Sequence, residues 1–275
     1  MAEPLNFVPP PELKTLRDII RYAASRFNQA GLVFGHGTDN AIDEAAALVL
    51  HALHLPADVP DIYWGARLTG VERQEIMDLV SRRIAQRVPL PYITNQIFFA
   101  GLPFFVDERV LIPRSPLAEL IEQRLAPWAD PQSVGRVLEI GTGSGCVAVA
   151  CAYAFPQAQV DATDTSDSAL QVASINVQSH GLGERVNLFK SDVFDDLPEI
   201  EYQIIITNPP YVDQVTMQNL PPEYLHEPQV ALAGGEDGLE VVRRILAGAV
   251  RYLAAGGLLM VEVGGSEDAV GEAFP

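Results

Sequence analysis

The chain has little basic charge for its size. Eighteen lysines and arginines stand against 36 aspartates and glutamates, a formal net charge of −18. Nucleic-acid surfaces need clustered cations to neutralise phosphates, so direct binding to DNA or RNA is not expected. An acidic surface instead attracts a basic protein. Cysteine is scarce as well: only Cys146 and Cys151 occur, five apart in one apolar segment. That excludes a disulfide framework, and the spacing fits no metal site. Both read as small core residues in a reducing compartment. Long uninterrupted apolar runs are missing too. The longest are broken by His51 and His54 or by Arg251, so no membrane span is expected. The start, Met1-Ala2-Glu3-Pro4, lacks a basic region followed by an apolar stretch. No signal peptide is expected there, and the cytoplasm is the expected location. No internal repeat or low-complexity tract breaks the chain.

What is present suffices for a globular core, with 48% hydrophobic and 20% charged residues. The 275 residues allow one large domain or two modest ones. Residues 1–11 hold a proline cluster and predict an irregular start. From Glu12, the spacing of Leu13, Leu16, Ile20, Ala23 and Phe27 predicts a helix. A second helix is predicted from Asp39-Asn40 to Leu55, stopped by Pro56. A third opens at Thr69, where Thr69 and Glu72 form a capping-box pattern. Its exposed face is predicted to carry Arg73, Arg82, Arg83 and Arg87, a solvated face or a docking strip for an acidic surface. Residues 1–87 thus read as a small helical domain. Pro89 and Pro91 precede Tyr92-Ile93-Thr94, which predicts a switch to strands. A hairpin around Ala100-Gly101 is predicted within a linker over 88–112.

Beyond residue 113, strands and helices alternate, the signature of a parallel, doubly wound α/β sheet. Arg136–Ile140 predicts a strand, followed by Gly141-Thr142-Gly143-Ser144-Gly145 and an apolar helix from Cys146 to Tyr153. Strand, glycine loop and helix bring backbone close to a ligand. The dinucleotide fingerprint needs a glycine where Cys146 stands, so the loop reads Glu-x-Gly-x-Gly-x-Gly, starting at Glu139. A phosphate or dinucleotide loop stays the rival reading. The next strand ends at Asp164, placed to accept from both ribose hydroxyls and to repel phosphates. A third strand, Val186–Phe189, leads to Ser191-Asp192-Val193. Asp192 fits an adenine amino group, with Val193 over the ring; a turn cap is the plainer role for Asp192.

The run Tyr202–Thr207 predicts a buried strand stopped by Asn208-Pro209-Pro210-Tyr211. Prolines donate no N–H, which leaves their carbonyls to accept from a ligand. Asn208 adds a side-chain carbonyl and Tyr211 an aromatic wall. Several acceptors beside a π-face suit a planar group bearing NH₂; a strand-stopping turn is the alternative.

In this order, the glycine loop, Asp164, Ser191-Asp192 and Asn208-Pro209-Pro210-Tyr211 resemble the HemK-type protein-glutamine methyltransferases. So do the helical start, the hairpin, His226-Glu227-Pro228 and Gly234-Gly235-x-Asp237-Gly238-Leu239. The resemblance implies S-adenosyl-L-methionine as cofactor. It implies cofactor-binding roles for Glu139, Gly141, Thr142, Gly143, Ser144, Gly145, Asp164, Asp192, Val193 and Asn208. Asn208, Pro209 and Tyr211 would be catalytic, and Asn208 to Tyr211 together with Arg114 would meet substrate. Pro113-Arg114-Ser115-Pro116 departs from the release-factor branch. With 34–40 and Tyr92–Asn95 it is similar to the ribosomal-protein branch, whose substrate is a glutamine in the third protein of the large subunit. That substrate is basic, in keeping with the charge. A release factor is the alternative substrate, and an amino group of DNA or RNA a more distant one. The catalytic domain is expected over 113–275. Leu258–Val263 is predicted as a fifth strand after a Gly256-Gly257 turn, and the final antiparallel pair of the family is expected to be missing from this chain.

Overall fold

The computed structural model describes residues 9–274, so the expected irregular start falls largely outside them. The chain forms two compact units. The first holds the residues up to Asn95 together with Pro221–His226. Helix α1 (Leu16–Gln29) opens on a capping box between Thr15 and Asp18. Helix α2 (Ala41–Ala52) is capped by Asn40, whose side chain accepts from the amides of Ile42 and Asp43. Helix α3 (Gly70–Gln86) opens on the capping box of Thr69 and Glu72. Each cap satisfies amides that a helix start leaves without partners. The apolar faces meet in one core that includes Ile19, Phe27, Leu48, Ile76 and Val80.

Two expectations for this unit need correction. Leu90–Thr94 is a helical turn (α4), not the start of a strand. Pro91 sits in its first turn, where a missing N–H costs nothing. Arg83 is also not on the exposed face of α3; it is 1% exposed. Its guanidinium donates to Glu44 at 2.7 Å and to Glu223 at 3.4 Å, and to the Val33 carbonyl at 3.0 Å. Glu223 also accepts from the Val33 amide and pairs with Arg87. Two arginines thus balance two buried glutamates, the condition for keeping such charges out of water.

The second unit holds Gln96–Leu220 and the residues from Glu227 onward. It opens with the predicted hairpin, β1 (Ile97–Phe99) and β2 (Leu102–Phe104). Ala100 and Gly101 both take positive φ at the turn, which matches the twist of the two strands. Helix α5 (Leu117–Glu122) leads to β3 (Arg136–Ile140), α6 (Cys146–Ala154), β4 (Gln159–Asp164), α7 (Asp167–Ser179) and β5 (Val186–Lys190). Strand β6 (Tyr202–Thr207), the short α8 (Gln214–Met217), α9 (Glu240–Ala249), β7 (Leu253–Val261) and α10 (Glu267–Ala273) follow. The five sheet strands are parallel, in the order β5-β4-β3-β6-β7. Gly256-Gly257 is not a turn before the last strand. It lies inside β7, where Gly256 has φ +75° and the register against β6 shifts between Tyr202 and Ile204.

Asp161 in mid-β4 is buried and serves the sheet. It accepts from the Tyr202 hydroxyl and the Asn187 amide, both at 2.8 Å. Cys146 and Cys151 are both buried thiols of α6. No helix among the described residues is long and apolar enough to cross a membrane.

Candidate active site

The strand order reverses at β3: the chain runs outward to β4 and β5 on one side, then returns to β6 and β7 on the other. Open α/β sheets bind ligands at the carboxyl ends of strands at such a switch point. Ile140, the last residue of β3, pairs with Thr207, the last residue of β6. The Thr207 hydroxyl donates to the Ile140 carbonyl at 2.8 Å. The glycine loop and Asn208 therefore leave the sheet side by side. A Cβ added at Gly141 would lie 4.0 Å from the Asn208 carbonyl oxygen.

The loop is braced from several directions. Gly141, Gly143 and Gly145 all take positive φ, and a Cβ at Gly143 would meet only open space. Glycine is thus needed at Gly143 for backbone conformation, and it leaves room on that side. Gly145 packs against Ala173, 3.2 Å from where its Cβ would lie. Beneath the loop, Glu139 is 3% exposed. Its Oε2 accepts from the Thr142 hydroxyl at 2.5 Å and the Ala148 amide at 2.9 Å. Burial pushes its carboxyl up to about 8, against the pull of those two donors. Asn176, fully buried on α7, donates to the Ser144 carbonyl and exchanges two bonds with the Phe105 backbone. One side chain thus joins the hairpin segment to the glycine loop.

Asp164 ends β4 beside the loop. Its Oδ2 accepts from the Gly143 amide and its Oδ1 from the Ser166 amide, each at 2.9 Å. Burial raises its carboxyl above the ordinary value, opposed by those amides. At the end of β5, Val193 is buried at φ +57°, a conformation β-branched residues rarely adopt. Asp192 is half-exposed, and Arg244 of α9 donates to it at 2.9 Å. Arg114 is engaged as well: its fork spans both oxygens of Glu227, at 2.6 and 2.9 Å, so this contact makes it a brace.

After β6, Asn208 and Tyr211 are partly buried and Pro209 is buried. The glycine-rich run 234–238 packs on this turn. A Cβ on Gly234 would come 2.8 Å from the Pro210 carbonyl, and one on Gly238 2.4 Å from the Tyr211 carbonyl. Only bare backbone approaches that closely. The Tyr211 hydroxyl donates to Glu262 at 3.1 Å.

A methyltransferase small domain model matches residues 120–234. A ribosomal protein uL3 glutamine methyltransferase of Bordetella pertussis is 52% identical over 265 residues, which cover 96% of this chain and 89% of that protein. The chain belongs to this family of glutamine methyltransferases. Relatives of the same name from Neisseria meningitidis serogroup A and Burkholderia pseudomallei are each 48% identical, over 96% of this chain and 87% and 89% of their own lengths. Within this glutamine methyltransferase fold, the sequence pattern found the two loops but not their supports. Asn176, Glu262 and Gly264 carry no local signal, because each meets its partner across a long stretch of chain.

Proposed function

We propose that this chain transfers a methyl group from S-adenosyl-L-methionine to the side-chain amide nitrogen of a glutamine in the basic ribosomal protein uL3. The observation that carries the reading is the juxtaposition of the glycine loop and Asn208 at the sheet's switch point. The loop also fits a phosphate-free adenosyl ligand. A phosphate loop aims its amides at the anion. Here the Thr142 amide is spent on the Thr163 carbonyl, that of Gly143 on Asp164 and that of Gly145 on Thr142. The carboxylate of Asp164 stands where a phosphate would be repelled. Its oxygens keep lone pairs for ribose hydroxyls. When bound, the cofactor supplies a methyl group made electrophilic by a sulfonium charge.

The residues of this chain position the nucleophile. A glutamine amide has two N–H donors and a delocalised lone pair. The Asn208 side-chain oxygen and the Pro209 carbonyl accept those two hydrogens and favour positive charge developing on nitrogen. Tyr211 packs on the amide, and its ring face tolerates nearby positive charge. Orientation of this kind supplies up to ~7–11 kcal/mol of a barrier. No base is needed beforehand, since the proton leaves the nitrogen after transfer. A glutamate side chain, with no hydrogens to offer and a negative charge, is rejected by the same acceptors. Arg114 meets substrate only by way of the segment it braces through Glu227, and Glu139 serves the cofactor by holding the loop.

The test is methyl transfer from labelled cofactor to uL3, a release factor and DNA, side by side. Label on a glutamine of uL3 is the expected product, located by mass spectrometry. Preferential labelling of the release factor or of DNA would overturn the assignment of substrate. Asp164→Ala should weaken cofactor binding about tenfold or more, as expected for lost bonds to a charged acceptor. Calorimetric titration would measure it, and an unchanged Kd would move the ribose site elsewhere.

A further inference from the structure

Glu262, the first residue after β7, takes no part in the chemistry just described, yet it touches the motif twice. Its amide donates to the carbonyl of Thr207 at 3.0 Å, the residue before Asn208. Its Oε1 accepts from the Tyr211 hydroxyl at 3.1 Å, and its Oε2 from the Ser115 hydroxyl. Ser115 is itself held, accepting from the Leu117 amide at 3.1 Å at the start of α5. Two residues on, Gly264 has φ +49°, and a Cβ there would lie 2.3 Å from the Tyr211 ring. Ser266 donates to the Tyr211 carbonyl at 3.1 Å. The tyrosine is thus held at its hydroxyl, along its ring and at its backbone by one short segment, 262–266.

A partly buried tyrosine otherwise has alternative staggered rotamers available. A carboxylate only accepts, so both hydroxyls that reach Glu262 must donate. The Tyr211 proton is committed to Glu262, and the phenol oxygen has only lone pairs left for any further contact. That polarity opposes a carboxylate, whose oxygens find no donor there. We propose that Glu262 is a positioning residue for methyl transfer, acting through Tyr211 to fix the wall of the amide site and to keep its oxygen an acceptor. The proposal rests on the reading of Asn208 to Tyr211 as the glutamine site.

The test compares full-length variants with uL3 as methyl acceptor. Glu262→Ala should lower kcat about 10- to 100-fold, the range for misplacement of a reacting group by about an ångström. Cofactor Kd and thermal midpoint should stay near wild type. Glu262→Gln keeps an acceptor for Tyr211 and should recover most of the activity. In a Tyr211→Phe background, Glu262→Ala should cost nothing further, because the bond it serves is already gone. Ser115→Ala, which removes only the far brace, should show a smaller kcat loss and provides the comparison if Glu262→Ala fails to fold. Independent, multiplying losses in the double variant, or wild-type kcat in Glu262→Ala or Ser115→Ala, would overturn the proposal. Asn208→Ala separates the two readings: if it is inactive while Glu262→Ala is normal, only the positioning role falls; if it is active, the glutamine site itself falls.

Discussion

Asn208→Ala is expected to lower kcat for glutamine methylation about 10²- to 10³-fold, the loss seen when one preorganised electrostatic partner is removed from a reacting group. Cofactor Kd should stay near wild type. The asymmetry follows from where Asn208 stands. The glycine loop is fixed by Glu139, Asn176 and Asp164, none of which bonds to the Asn208 side chain. The turn is fixed separately, by pairing of Thr207 with Ile140 and by the Glu262 amide on the Thr207 carbonyl. Truncation at Asn208 removes an acceptor and leaves both frames in place. KM for the protein substrate should change less than kcat, since a protein partner is held by more than one amide. Single-turnover rates with saturating cofactor would check this. Near-normal turnover would sink the amide clamp, and a parallel loss of cofactor binding would show that Asn208 serves the cofactor first.

Much of this site was legible because its signals are local. Tyr202–Thr207 is apolar and stops at two prolines, and it is a strand with those bounds. The capping boxes at Thr15 and Thr69 mark true helix starts, and Thr69 was visible from Glu72 three residues on. One error has another cause: local pattern cannot see what arrives from afar. Arg83 lies in a row of arginines at helical spacing, and nothing nearby announces Glu44 or Glu223, 39 and 140 positions away. Tyr92-Ile93-Thr94 looked extended because Pro89 and Pro91 precede it, yet proline is tolerated in a first helical turn. Gly256-Gly257 was read as a turn because glycine pairs commonly are; here a bulge inside a strand uses the same freedom. The supports of Tyr211 were hidden for the same reason as Arg83. Gly264 matters only because a ring from 53 positions earlier lies where its side chain would be.

The wild-type protein should lose stability as pH rises from about 5 to 8, and Glu139→Gln should remove that part of the loss. The sign follows from the buried carboxyl. Glu139 is raised from an ordinary 4.5 to about 8 in the folded chain, chiefly by burial. The native state therefore holds a proton that the unfolded chain gives up. Its contribution is complete below about 4.5, falls by ~1.4 kcal/mol per pH unit above that, and is gone once pH passes the folded value. Integrated over that window, the loss is on the order of a few kcal/mol. Asp107, Asp213 and Asp237, whose carboxyls are lowered by their donors, have finished titrating below this range. His51, lowered by burial, acts with opposite sign near neutrality, but equally in both proteins. The difference between wild type and Glu139→Gln thus reports Glu139 together with its coupling to Asp164, whose carboxyl is also raised by burial. A glutamine is neutral at every pH, and its carbonyl still accepts from Thr142 and Ala148. Urea unfolding at pH 5, 6, 7 and 8 would measure the difference, and parallel curves for the two proteins would sink the idea. The same proton bears on function. Ionised Glu139 must draw water or shift beneath Gly141–Gly145, so cofactor affinity should weaken above pH 8 in the wild type and hold in Glu139→Gln.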